Sequence, residues 1–335
     1  MKPNHLHDPK LSQISAASID PIATGQIEAF EESRWRLQKR CRVLVCRQGG
    51  LFVRRGITIV EILVVTAIIG LLVGILLPAV QVARATAAKT QCSNKLRELL
   101  LATHNYESVN RSLPSGIDSR STDTPYSTWI VDLSPYLGDQ VRYEASMLGY
   151  RHDRLPFGSV AHPEFQRQNR TVTCPSDESA MAPKYTRGKY LVGLTSYVGN
   201  AGSSPASKDG PFFLDSRVDI GCGNDGSSNT ILYGERPSSP DFWFGWWYAA
   251  YGRDGLGSPD IILGLSDDWH SWDETAACPP GRADFAFPNP KSQCNVLSYW
   301  SWHPAGANLG FADGSVRFTA YGNSDMLYEL AVIRF

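Results

Sequence analysis

Ile62 to Val82 is a run of 21 residues without a charge. As a helix it would extend about 31 Å, one hydrocarbon thickness of a bilayer. The alternative, a buried helix of a soluble protein, fits poorly with a run so long and so uniformly apolar. A secretory signal is a closer competitor, with Ala83-Arg84-Ala85 imitating its cleavage site. Its apolar core, however, is usually 7–15 residues, and here the helical pattern continues without a break.

Charge distribution orients the segment. Net charge is −1 overall, with 32 Lys/Arg and 33 Asp/Glu. Residues 1–56 hold ten of the basic and five of the acidic residues, leaving 22 and 28 for the remainder. A basic start before an apolar helix predicts a cytoplasmic N-terminus and an extracytoplasmic C-terminal part. That acidic part has no basic patch, so no nucleic-acid partner is expected. Membrane lipid is the expected surroundings of the apolar run.

Gly70, Gly74 and Ala67 give this helix small faces for close packing, and Pro78 removes a backbone donor within it. Glu61 stands near its start. A carboxylate costs about 2.5–3.5 kcal/mol at mid-bilayer and less near the edge, so it favours a partner or the interface.

Arg55-Gly56-Ile57-Thr58-Ile59-Val60-Glu61 resembles the recognition site of a prepilin peptidase. The resemblance implies cleavage between Gly56 and Ile57 on the cytoplasmic side, with N-methylation of the new first residue. Glu61 would become the fifth mature residue, as in pilins and pseudopilins. Gly70 and Pro78 also fall where those families place a glycine and a proline. Ile57 is a departure, because phenylalanine is usual there. Cleavage would create an α-ammonium at Ile57 that a neighbouring subunit could bring to Glu61, setting subunit register. The competing role for Glu61 is simply to reach the interface. The implied partners are a prepilin peptidase/methyltransferase and other pilin-like subunits.

Fifty-six residues is long for such a leader. A misassigned start would account for it: Val43, Val45, Leu51 and Val53 are each candidates, and Leu51 would leave a short leader ending Phe52-Val53-Arg54-Arg55-Gly56. Peptides from residues 1–40 in the uncleaved precursor would exclude that explanation. Cys41 and Cys46 in the leader have no assigned role.

The helical pattern persists beyond Val82. Cys92, Leu96, Leu99, Leu100 and Thr103 recur at three- and four-residue spacing and mark one apolar stripe. Lys89, Lys95, Arg97 and Glu98 are expected to face solvent. The helix should end near Asn110, ahead of Pro114 and Gly116, giving roughly 54 residues and about 80 Å from Ile57. From about residue 115 the signals change to strands and turns. Ser196–Gly202 ends in a Gly/Ser loop, Asn229–Glu235 reads as a strand after the Asp225-Gly226 turn, and Asp313-Gly314 between two β-like runs predicts a two-residue hairpin turn.

The expected fold class is α+β: a long pilin-like helix, half in membrane and half soluble, packed on a mainly antiparallel, loop-rich domain. The expected parts are a leader over 1–56, a transmembrane helix over 57–82, a helix extension over 83–112 and an extracytoplasmic domain over 113–335.

Ordered blocks across residues 54–320 resemble a large bacterial family of pilin-like proteins that carry a domain of unknown function. They are Cys92-Ser93-Asn94-Lys95-Leu96 through His104-Asn105-Tyr106, Leu113-Pro114-Ser115-Gly116, Cys174-Pro175-Ser176-Asp177, Asp225-Gly226-Ser227-Ser228-Asn229-Thr230 with Gly234-Glu235, and His303 followed nine residues later by Asp313-Gly314. The resemblance implies architecture and location, not a reaction.

Other features carry weaker expectations. Five cysteines follow the membrane run and none forms a C-x-x-C pair, which argues against a zinc ribbon or a thioredoxin-like site. Cys278 with Cys294 is the favoured disulfide, bracketing a Pro/Gly-rich loop, and Cys174 with Cys222 a weaker one. His104 reads as a packed helix residue rather than a ligand. Extended spacing would put His303 and Asp313 about 30 Å apart, so a site formed with Glu235 is not expected. His303 should instead cap or bond backbone, and Asp313 should sit in a turn. Asn224, Asp225 and Asn229 could hold calcium, but Asx turns look the same without an ion.

Seven of the nine tryptophans fall between Trp243 and Trp302: Trp243, Trp246, Trp247, Trp269, Trp272, Trp300 and Trp302. Core filling is the favoured reading, with stacking on sugars or a partner surface as the alternative. No nucleophile–base pair, phosphate loop or metal-ligand cluster marks an enzyme, so no catalytic residue, cofactor or metal is expected. The function expected is that of a non-enzymatic pilin-like or pseudopilin-like subunit of a type IV pilus-like or type II secretion-like assembly. The alternative is a membrane-tethered surface- or carbohydrate-binding module using residues 242–302.

Overall fold

The computed structural model describes residues 58–222, 226–251, 255, 257, 260–266, 278, 284–287 and 289–333. The chain divides into two units at Gly70/Leu71, and both lie partly within one helix, α1 (Ile59–Asn110). At 52 residues α1 is about 78 Å long. Thr58 and Glu61 start it by a reciprocal cap. Glu61 N–H donates to Thr58 Oγ1 at 3.2 Å, while Thr58 N–H and Oγ1 donate to Glu61 Oε2 at 2.8 and 3.0 Å.

Helicity runs through Pro78, and the apolar side chains from Ile59 to Val82 are exposed. This helix is long and apolar enough to cross a membrane, which is consistent with a single-pass anchor.

The second half of α1 buries the stripe expected from its spacing. Cys92, Leu96, Leu99, Leu100 and Thr103 are each fully buried. Burying each leucine contributes about 1.5–3 kcal/mol. Two of the lysines expected in solvent behave differently. Lys95 is half-buried and donates to the Arg170 carbonyl and to Thr173 O at 2.7 Å. Lys89 Nζ sits 3.2 Å from the centre of the Phe318 ring. Their alkyl stems cover apolar surface while the ammonium groups find backbone or a ring.

After α1, β1 (Ile117–Asp118) pairs with β2 (Ser127–Thr128). Two helices follow, α2 (Trp129–Leu133) and α3 (Gln140–His152). A small hairpin joins β3 (Lys184–Thr186) to β4 (Tyr190–Val192). The main sheet is built from β5 (Tyr197–Gly202), β6 (Ile231–Glu235), β7 (Ile262–Gly264), β8 (Gly306–Phe311) and β9 (Val316–Ala320), in the order β7-β5-β6-β8-β9. Only the β5–β7 pair of that sheet is parallel. A last helix, α4 (Ser324–Ala331), follows β9. The fold class is α+β.

Every residue of β5, β6 and β8 is buried, because the sheet is covered on both faces. Tyr197 and Tyr233 join the core formed with the α1 stripe. Thr103 Oγ1 and Tyr233 Oη are 2.7 Å apart, and Tyr197 Oη donates to Cys92 O at 3.2 Å. Val198 and Leu309 pack instead with Leu327 and Ala331 of α4.

The β8–β9 turn departs from the two-residue expectation. Phe311 N–H donates to Ser315 O at 2.9 Å and Gly314 N–H to Phe311 O at 3.0 Å, closing a three-residue loop over 312–314. Gly314 alone in this loop is left-handed, at φ 83°. Asp313 stays at ordinary φ and its Oδ1 accepts Ser315 N–H at 2.9 Å. A type I turn followed by a left-handed glycine uses the same Asp-Gly pair with one more residue.

Candidate functional site

Four side chains from four separate parts of the chain meet in the interior. Cys92 comes from α1, Cys174 from the loop before β3, Glu235 from the last position of β6, and His303 from the segment leading into β8. Their ligand-type atoms all lie within 4.8 Å of one another. Cys92 and Cys174 are disulfide-bonded. His303 Nε2 is 3.7 Å from Cys174 Sγ and 3.5 Å from Glu235 Oε1. All four residues are buried, with His303 the most accessible at 6%.

Strand pairing places Glu235 here. β6 lies between β5 and β8, so Glu235 has Tyr197 opposite it on one side and Asn308 near it on the other. Asn308 holds both carboxylate oxygens, its N–H on Oε2 at 2.7 Å and its Nδ2 on Oε1 at 3.0 Å. A buried carboxylate requires such donors. Gly234 allows the close approach: a Cβ there would stand 2.3 Å from Tyr299 Cδ1.

The Cys174-Pro175-Ser176-Asp177 block is a turn with buried ends that fixes the sulfur. Asp177 N–H donates to Cys174 O at 2.9 Å. Ser196 Oγ accepts Cys174 N–H at 3.0 Å and donates to Asp177 Oδ2 at 2.7 Å. Ser179 Oγ and Trp302 Nε1 donate to Asp177 Oδ1 at 2.5 and 3.2 Å. Burial pushes the Asp177 carboxyl above the usual carboxylate range, and these hydrogen bonds oppose the shift. The His303 backbone is fixed from its own segment, since Ser301 Oγ accepts the main-chain N–H of His303 at 3.0 Å.

Residues 81–325 match the family described as Protein of unknown function (DUF1559). The chain belongs to this family. Membership fits a pilin-like, secretion-associated protein. No curated protein matches the chain, and no solved structure does. All four members of the buried cluster fall within the DUF1559 match.

The structure of this DUF1559 chain corrects two sequence expectations. Cys174 pairs with Cys92, not with Cys222. Glu235 and His303, from which no shared site is expected, are neighbours. His303 and Asp313 flank the two ends of β8, whereas β6 runs beside β8 and brings Glu235 to His303. Asp313 does lie apart, in the β8–β9 turn with Gly314. Cys92 lies in the apolar stripe of α1, where leucine would serve equally well for packing, and a cysteine at such a position is the signal in the sequence for its pairing.

The remaining candidates are placed as follows. Gly56 and Ile57 lie outside the described residues, as do Asn224, Asp225, Trp269 and Trp272. Glu61 is exposed and caps α1. Cys278 and Cys294 are joined by a disulfide. His104 is partly exposed, with Nδ1 3.8 Å from Glu107 Oε2. Trp247 and Trp300 fill core. Trp243 and Trp246 line a cavity of about 390 Å³, together with Tyr126, Phe157, Tyr190 and Tyr251.

Proposed function

We propose that this chain is a non-enzymatic, pilin-like subunit of a type IV pilus-like or type II secretion-like assembly. Prepilin peptidase would cut between Gly56 and Ile57 and methylate Ile57. The apolar half of α1 would then anchor the protein in membrane lipid, with the sheet domain extracytoplasmic. Glu61 would meet the α-ammonium of a neighbouring pilin-like subunit and set its register.

The observation that carries this reading is α1 itself. Its first half is apolar and exposed, and its second half is buried against the sheet of a DUF1559 domain. Mass spectrometry of the N-terminus of the protein from native membranes tests it. A mature start at Ile57 is expected. An intact leader, or a start after Ala85, would remove the pilin reading.

A tethered binding module is the second reading, favoured by the aromatic cavity. Aromatic ring faces are suitable surfaces for sugar faces. Quenching of tryptophan fluorescence by oligosaccharides, lost in Trp243→Ala, would support it. Cross-linking separates the two readings: a filament gives a ladder through residues 57–82, and a tethered binder does not.

A further inference from the structure

We propose that Cys92, Cys174, Glu235 and His303, with the two cysteines in their dithiol form, make a four-ligand site for a zinc-class divalent cation. A disulfide staple needs only its two sulfurs. It gives no reason to place a carboxylate and an imidazole beside it in the interior, where burying either is unfavourable. The donor set of two thiolates, one imidazole and one carboxylate is one that zinc accepts.

The spacing agrees with that chemistry. Zinc bonds of about 2.0–2.3 Å in a tetrahedron put ligand atoms about 3.3–3.8 Å apart. Glu235 Oε1 to His303 Nε2 is 3.5 Å, and His303 Nε2 to Cys174 Sγ is 3.7 Å. Opening the disulfide would let the sulfurs separate to a similar distance. Supporting partners are already in place: Asn308 on the carboxylate, and Ser301 and Ser196 on the main-chain N–H groups of His303 and Cys174. The ligands come from α1, a loop, β6 and the approach to β8, so a cation would tie β6 and the approach to β8 to the two segments that the disulfide joins.

The two forms interconvert by balanced steps. A phosphine reductant and one water convert the disulfide to two thiols and a phosphine oxide, moving two electrons onto the sulfurs. The cation then displaces the two thiol protons as it binds. In the reverse direction an added small-molecule disulfide takes the two electrons of the thiolates and two protons and leaves as two thiols, which re-forms the S–S bond and releases the cation.

The test uses the full chain in detergent, reduced anaerobically by a phosphine in the presence of Co²⁺ as the probe for zinc. The reduced protein is expected to take up one Co²⁺ per chain, with the intense d–d absorption of a tetrahedral thiolate-bound ion. The unreduced protein should show neither. His303→Ala and Glu235→Gln, first checked for native near-UV circular dichroism in the disulfide form, should each weaken binding at least tenfold. His303→Gln replaces His303→Ala if the latter does not fold. Failure of the reduced chain to bind stoichiometric cobalt would overturn the proposal. So would cobalt binding indifferent to both Glu235 and His303, which would assign the ion to the thiols alone. If reduction unfolds the chain, cobalt must restore the native signal, and failure to do so counts equally against the site.

Discussion

Glu235 and His303 are 68 positions apart, yet Glu235 Oε1 stands 3.5 Å from His303 Nε2 in the protein interior. The pairing of β6 with β8 makes them neighbours, and Asn308 holds the carboxylate from the adjoining strand.

Glu235→Ala would leave the two Asn308 donors without their acceptor. Hydrogen bonds to a charged group are worth roughly 1.5–3 kcal/mol each. A loss of about 3 kcal/mol or more is therefore expected in denaturant unfolding of the disulfide form. A loss below about 1 kcal/mol would mean that water or a rearranged Asn308 replaces the carboxylate.

The two disulfides should differ in weight. Cys92–Cys174 closes a segment of 82 residues and Cys278–Cys294 one of 16. Chain entropy predicts contributions of about 4–5 and about 3 kcal/mol. Replacing Cys92 and Cys174 with serine should lower the unfolding midpoint more than replacing Cys278 and Cys294. The reverse order in calorimetry would refute the loop-length account.

Glu61 carries two separable roles. Glutamine can still accept Thr58 N–H in the cap, but it carries no charge. Glu61→Gln should keep the protein in the membrane and abolish the cross-link ladder through residues 57–82. Thr58→Ala should weaken the cap by about 1 kcal/mol and leave that charge in place. A wild-type ladder from Glu61→Gln would show that the charge does not set register.

The contribution of Asp132 to stability should fall as pH rises toward neutral. Burial, reinforced by the charge of Asp118, pushes the Asp132 carboxyl from 3.8 up to about 7. The folded state therefore holds a proton that the unfolded chain has released. This contribution is complete below pH 3.8, declines between 3.8 and about 7, and is absent above that. The side chain is partly accessible, so water reduces the effect, and a change of about 1–3 kcal/mol is expected across the window. Asp132→Asn should flatten this part of the profile. An unchanged slope in that variant would assign the titration to other groups.

The main helix was legible in the sequence because its determinants are local. Twenty-one uncharged residues specify a membrane-length helix. A three- and four-residue spacing placed Cys92, Leu96, Leu99, Leu100 and Thr103 on one face, and all five are buried. Helix periodicity depends only on near neighbours along the chain, so residue order reveals it. The Asp313-Gly314 turn was legible in kind, since only glycine holds the left-handed position cheaply. Its length was not, because register belongs to the paired strands.

The buried cluster was set by tertiary structure. Nothing in the spacing of Cys92, Cys174, Glu235 and His303 brings them together. Strand order in the sheet and the seating of α1 against Tyr197 and Tyr233 do so. Sequence determined which residues could carry charge, sulfur or an imidazole, and where one long helix must run. Tertiary structure decided which of them meet, because contacts between distant segments follow from packing two faces of one sheet, and packing has no period that a linear sequence displays.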